Sequence, residues 1–283
     1  MNVKRMRQNK NRLRFLALAV VLVGGLTSCI SFLDGKGNLI EAIRETQVVG
    51  NGVMVSKTIP LPDYTTLEVE RGVEVRYVAT QTQQLSVSTH ENLMPYVVVT
   101  CQLGHLKITI DSALRRVGDI DVVVTLPMNP KLARINASSA AEVNFQEPLT
   151  LIHDLELEAS SSAEINGKIQ AKRVVMSTSS SAEMELDLLV DALKAHISSS
   201  ASVELSGACR EAELMVTSAA ELDAEQLQIT ECRAHASSAG EIDLWCTGRL
   251  QAEASSAGEI VYCGPCSVVK QQSSAGEVRY KEK

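Results

Sequence analysis

Seven glutamates recur at one position of an internal repeat, and they are the residues of this chain best placed to bind a ligand at a surface. Each follows a block of serine, alanine and glycine at intervals of 18 to 22 residues, and Ser202 occupies the same position in one further copy. Stacked carboxylates beside hydroxyls offer the hard oxygen ligands that Ca²⁺ prefers. The pattern therefore predicts a face for a divalent cation or a cationic ligand; the alternative is a solvated face that resists aggregation. The seven members, called the carboxylate column below, are Glu142, Glu164, Glu183, Glu221, Glu241, Glu259 and Glu277.

The cysteines are the second group of residues that could carry out chemistry. Cys263-Gly-Pro-Cys266 copies the redox motif of thioredoxins, but that motif works at a helix N-terminus, and no amphipathic helix follows here, so we interpret it as a turn. Cys246 lies five residues after Glu241 and Cys263 lies four after Glu259. Similar phase on adjacent coils would bring them within disulfide range. The spacing predicts a Cys246–Cys263 disulfide, with two buried free thiols as the alternative.

The carboxylates do not form the asymmetric pair that a glycosidase needs. Such enzymes use two carboxyl groups in different environments, one of them with a raised pKa, whereas a repeated identical row offers no such difference. The five histidines are scattered without metal-ligand spacing. We therefore expect no catalytic residues and no cofactor other than, at most, Ca²⁺. A polysaccharide-degrading enzyme is the least favoured alternative.

The repeat predicts the fold that must position these groups. Leu155, Leu157 and Ala159 alternate with polar residues, and apolar positions continue at Ala163 and Ile165. A period of two indicates β-strands. A unit of about 19 residues is too short for a βαβ unit but suits one coil of a solenoid whose coils stack about 4.8 Å apart. We predict an all-β, single-stranded parallel β-helix, or β-solenoid.

Residues 48–135 lack the serine block but keep the alternation, for example at Leu67, Val69, Val73 and Val75. We interpret them as the opening coils of one domain over 48–283, in which 136–283 are the Ser-Ser-Ala-Glu repeats. A separate small β-domain is the alternative.

The repeated Ser-Ser-Ser-Ala-Glu-Ile pattern, seen at residues 160–165, resembles the bacterial head GIN domain family, also called auto-transporter adhesins. The family's repeat tends to read Ser-Gly-Ser-Gly-Asp-Ile, so serine and alanine replace most glycines here. The resemblance covers Lys57 to Lys283. It implies a right-handed parallel β-helix on a lipoprotein or secreted protein of Bacteroidetes-like bacteria, and it supplies no catalytic residues.

The first 28 residues have the pattern of a signal peptide. Six basic residues precede an apolar run from Phe15 to Leu26, which as a helix of about 18 Å would be too short to span a bilayer. Leu26-Thr27-Ser28-Cys29 resembles the lipobox of bacterial lipoproteins. We therefore predict cleavage after Ser28, lipidation of Cys29, and a tether over 29–47. Ile30 in place of an aspartate favours the outer membrane, on either leaflet.

The net charge of the chain limits the classes of molecule that it is expected to bind. Removing residues 1–28 would delete six basic residues and no acidic residue, changing the net charge from −7 to −13. Nucleic acid is then an unfavourable partner. We expect a cell-envelope lipoprotein with a non-catalytic adhesion or binding module, whose ligand is a glycan or a protein. A structural envelope protein with no specific ligand is the alternative.

Overall fold

The computed structural model describes residues 49–80, 82–112, 114 and 121–282. The predicted signal peptide, Cys29 and the tether lie outside the described residues. No helix within the described ranges is long and apolar enough to cross a membrane.

The described chain is built almost wholly of β-strands, with one short 3₁₀ helix at Met94–Tyr96. The strands are β1 Met54–Pro60, β2 Thr66–Glu70, β3 Glu74–Val78, β4 Gln84–His90, β5 Val97–Gln102, β6 His105–Ile110, β7 Val123–Pro127, β8 Arg134–Ser138, β9 Glu142–Phe145, β10 Leu149–Thr150, β11 Leu155–Ser160, β12 Glu164–Thr178, β13 Glu183–Ile197, β14 Ser202–Thr217, β15 Glu221–Ser237, β16 Glu241–Ala254, β17 Glu259–Cys263, β18 Ser267–Gln272 and β19 Glu277–Tyr280.

Successive repeats stack in parallel and in register. Glu164 of β12 pairs with Glu183 of β13, and Glu183 pairs with Ser202 of β14. The offset is therefore one repeat, and the predicted β-solenoid with coils of about 19 residues is confirmed.

Each long strand consists of two segments, and the alternation of inward and outward residues shifts by one residue between them. In β13 the alternation of buried and outward residues breaks at Asp191 and Ala192, where two consecutive residues point away from the core. The same break occurs at Lys172–Arg173 in β12. A bend at this point gives every coil a segment before it and a segment after it. We call the stacked segments that follow each serine turn the first sheet, and those that precede the next turn the second sheet.

The interior is filled by stacked aliphatic side chains, because each coil places the same inward position directly over its neighbour. One such stack is wholly buried from end to end. Burying one such side chain stabilises the fold by about 1.5–3 kcal/mol. The stack consists of Val75, Val143, Ile165, Met184, Val203, Leu222, Ile242, Ile260 and Val278.

The serine blocks form tight turns with left-handed backbone. In the turn Ser179–Ala182, the Ala182 N–H donates to the Ser179 carbonyl at 3.2 Å. Ser180 and Ser181 have φ of 55° and 59°, the positive values that both central residues of a type I′ turn require. The seven other serine-block turns show the same pair of positive φ values. Hydrogen bonds also run between turns, since the Ser181 N–H donates to the Ser199 carbonyl at 3.1 Å.

The N-terminal coils do not stack in chain order. β2 lies between β6 and β8, and β3 lies between β7 and β9. The coil formed by β6 and β7 therefore precedes the β2–β3 coil in space, although it follows in sequence. Antiparallel strands cover this end, with β4 on β7, β1 on β4, and β5 on β6. Such a cover protects a solenoid edge from pairing with other chains.

Candidate functional site

The carboxylate column lies on the outer face of the first sheet. Each member begins a strand and is exposed or half-buried, while the next residue points inward. The structure thus brings the predicted glutamates into one line along the stack, with Ser202 between Glu183 and Glu221. Glu74 of β3 extends the line beyond Glu142.

A second line of acidic residues, which the sequence analysis missed, runs beside the carboxylate column. Its members lie two residues further along each strand and pair coil to coil in direct register. The sequence signal is the acidic residue at that position in four consecutive repeats. The members, called the second carboxylate column, are Glu185, Glu204, Asp223 and Asp243.

The second carboxylate column and four members of the carboxylate column form an acidic face, which we define as Glu164, Glu183, Glu185, Glu204, Glu221, Asp223, Glu241 and Asp243. Like charges about 5 Å apart repel by about 1 kcal/mol in water.

Repulsion and partial burial raise the pKa values of carboxyl groups on the acidic face. Burial, with Glu185 and Asp223 nearby, raises the pKa of Glu204. Burial raises the pKa of Asp243 to about 6, helped by Glu225 and Asp223 and opposed by Lys281 and Arg279. Keeping these carboxyl groups ionised in the folded protein therefore costs free energy.

Burial, followed by the charges of two neighbouring glutamates, also raises the pKa of Glu164. In the case of Glu221, burial acts together with the charges of Glu241 and Asp223.

Basic residues on this face lie mainly towards the ends of the stack. Arg76 pairs with Glu74 at the N-terminal end, and Arg279 pairs with Glu259 at 2.6 Å at the C-terminal end. Asn144 and Asn166 occupy the same strand position as the second carboxylate column on the two coils before Glu185. The middle coils consequently present carboxylates stacked on carboxylates.

The outer face of the second sheet is built differently. Lys194 pairs with Glu213 of the next coil at 3.1 Å, and Arg134 pairs with Glu156. Arg233 donates to Gln251 at 3.0 Å. A shallow groove of about 620 Å³ on this face is lined by acidic and basic side chains together. Opposite charges are thus paired along much of the second sheet, although Glu211 stacks on Glu231 there. On the first sheet the two carboxylate columns stack like charges, with one ion pair, Lys168–Asp187 at 2.8 Å, beside them.

A chelating metal site is not evident on the acidic face. Within the ranges that the structure describes, no three His, Cys, Asp or Glu side chains are grouped closely enough to hold a metal ion.

The register of β16 and β17 does not favour the predicted Cys246–Cys263 disulfide. Cys263 stands opposite Trp245 in the parallel ladder. Because alternate residues of a strand face opposite sides, a one-residue offset puts Cys246 and Cys263 on different sides. The register set by the glutamates holds here, since Glu241 stands opposite Glu259. The prediction treated five residues after one glutamate and four after the next as the same position, and that one-residue difference is what separates the two cysteines.

Comparisons with known proteins add the family. The family model described as "Putative auto-transporter adhesin, head GIN domain" matches residues 63–265. The chain belongs to the head GIN domain family. No curated protein matches it significantly.

Solved structures of similar fold include three from Parabacteroides species. A "putative adhesin" from Parabacteroides merdae superposes with a TM-score of 0.76 at 24% identity, covering 83% of this chain and 99% of that one. A "putative adhesin" from Parabacteroides distasonis gives 0.75 at 23%, again covering 83% and 99%. A "putative lipid binding protein" from the same species gives 0.71 at 20%, with the same coverage. At these identities the likeness shows the fold of the head GIN domain alone.

Proposed function

We propose that this head GIN domain protein is a lipid-anchored, non-catalytic binding protein of the bacterial cell envelope, and that it holds a cationic partner on its acidic face. The family's description as an adhesin supports an envelope role. The lipobox ending at Cys29 supplies the anchor, and Ile30 favours the outer membrane.

The observation that carries the binding proposal is the contrast between the two outer faces. The second sheet pairs Lys194 with Glu213 across coils, so the repeat can accommodate opposite charges at neighbouring positions. The first sheet instead stacks Glu185 on Glu204 and Asp223. A partner rich in lysine or arginine would relieve that repulsion on binding, and complementary potentials speed association and select the partner.

A polyvalent cationic partner, such as a basic protein segment, fits this face better than one chelated ion. The columns are linear and extend over several coils, whereas Ca²⁺ requires six to eight oxygens converging on one point. The alternative occupant of the same face is Ca²⁺ bound weakly along the columns. Calorimetry distinguishes Ca²⁺ from a polyvalent cationic partner.

The test uses the compact unit Glu45–Lys283 and a fluorescent octalysine probe at low salt. We expect measurable binding, and we expect E185Q/E204Q to weaken it about tenfold, since each lost charge removes roughly 1 kcal/mol or less. The matched control is E158Q/E231Q, which removes two exposed carboxylates from the second sheet and should change affinity less than twofold.

Three results would count against the proposal. Equal weakening by both double variants would mean that only net charge attracts the probe. Absence of binding at low salt would favour a structural envelope protein without a specific ligand. Strong, saturable heat from CaCl₂, with no competition from octalysine, would replace the polyvalent partner by the ion.

A further inference from the structure

Several cysteine thiols come together where the last coils bend. Cys246 is wholly buried, and its Sγ lies 3.6 Å from the Thr230 carbonyl oxygen. Cys266 is partly exposed and packs against the edge of the core. The Cys246 and Cys266 side chains are hydrogen-bonding neighbours. The buried Cys232 interacts electrostatically with Cys246, Cys209 and Cys266.

Register explains why Cys266, not Cys263, meets Cys246. Arg249 pairs with Ser267 in the parallel ladder, so Cys266 lies beside Gly248, two residues along from Cys246. The intervening Gly264 lies tightly against the preceding coil, since a Cβ there would be 2.3 Å from the Cys246 carbonyl oxygen. The Gly264-Pro265 turn thus brings the Cys266 side chain onto Cys246.

We propose that Cys246 and Cys266 are the site of a disulfide that fastens the last coil to the coil before it. The proposal rests on the export that the proposed function requires, because disulfides persist in oxidising compartments. Its oxidant is a low-molecular-weight disulfide such as glutathione disulfide, or a disulfide-exchange protein.

The Cys246–Cys266 disulfide forms by two thiol–disulfide exchange steps. The Cys266 thiolate attacks glutathione disulfide, forming a mixed disulfide and releasing one glutathione thiolate. The Cys246 thiol loses its proton to water, and its sulfur attacks the Cys266 sulfur, which expels the second glutathione. Two protein thiols are oxidised and one glutathione disulfide is reduced to two glutathiones. Burial raises the pKa of Cys246 to about 11, so the more exposed Cys266 reacts first.

The disulfide would act at a weak point of the stack. β18 is mostly exposed, and it lies near the C-terminal end of the solenoid, where end coils have fewer neighbours and open first. A crosslink closing a loop of about 20 residues should slow amide exchange in β18 by about 100-fold.

The experiment incubates the purified Glu45–Lys283 unit with glutathione disulfide, blocks remaining thiols, and maps a non-reduced tryptic digest by mass spectrometry. Trypsin places Cys246 alone in peptide 234–249 and both Cys263 and Cys266 in peptide 250–270. We expect these two peptides to be crosslinked in the parent chain and in C263S, but not in C266S. Hydrogen exchange before and after oxidation measures the protection of β18.

Three outcomes would overturn the proposal: a Cys263–Cys266 bond within peptide 250–270, loss of the crosslink in C263S with its retention in C266S, or free thiols after oxidation. The octalysine assay is independent of this mapping, so failure of the disulfide would leave the binding proposal standing, and failure of binding would leave the disulfide.

Discussion

Replacing Asp243 by asparagine should stabilise the protein at neutral pH. Burial and the neighbouring charges of Glu225 and Asp223 raise the pKa of Asp243 from 3.8 to about 6. A raised folded-state pKa contributes stability that is fully present below the unfolded value and is lost as pH rises through the folded value. For Asp243 that loss falls between about pH 4 and pH 6.

The magnitude follows from the same pKa change. At face value it corresponds to about 3 kcal/mol, and because the side chain is partly exposed, solvent screening reduces this to about 1 kcal/mol. For a chain of this size, 1 kcal/mol corresponds to about 3 °C in Tm. We therefore expect D243N to melt about 3 °C above the parent at pH 7.5 and at nearly the same temperature at pH 4.

Thermal melts followed by circular dichroism at the two pH values give the comparison. D191N is the control, because Asp191 is exposed at the bend between the two sheets; it should leave Tm unchanged at both pH values. A gain for D243N that is equal at pH 4 and pH 7.5, or no gain at either, would refute the electrostatic reasoning about the acidic face.

Three further predictions test other parts of the account. Thr178 is buried with no hydrogen-bond partner for its hydroxyl, so T178V should raise the free energy of unfolding by about 1 kcal/mol in urea titrations, while the reciprocal V216T should lower it; a destabilising T178V would contradict this. Ser200 has φ of 59°, so S200V, which places a β-branched residue in left-handed backbone, should destabilise by about 2 kcal/mol, whereas S200G should change stability by less than 1 kcal/mol; equal effects of the two would refute the turn geometry. C29S should abolish labelling by a palmitate analogue in cells and leave a mislocalised precursor, and unchanged labelling would remove the lipoprotein prediction.

The repeats were predictable because each one carries its own structural information. Alternation in Leu155–Ala159 indicates which residues face the core, and the recurrence of the glutamates every 18 to 22 residues indicates which residues stack. The second carboxylate column was also visible in principle, as an acidic residue two positions after the marker in repeats such as Glu183-Met-Glu185.

The order in which the N-terminal strands stack was not predictable from these local patterns. β6 and β2 pair through residues almost 40 positions apart, and neither strand carries a signal for which partner it takes. The Cys246–Cys263 pairing is a different case, because the register from Glu241 and Glu259 is regular and the one-residue difference in spacing was already present in the sequence. The left-handed turns were hidden because serine and alanine occupy positions where glycine is the usual residue.

Carboxyl footprinting tests the central claim most directly, because it reports on individual acidic side chains of the folded protein. The Glu45–Lys283 unit is treated with a water-soluble carbodiimide and glycine ethyl ester, with and without saturating octalysine, and the modified peptides are quantified. The account predicts protection of Glu185, Glu204 and Asp223 on the first sheet, with Glu158 and Glu231 on the second sheet labelled to the same extent as before. Uniform protection of both sheets, or protection confined to the second, would contradict binding through the acidic face.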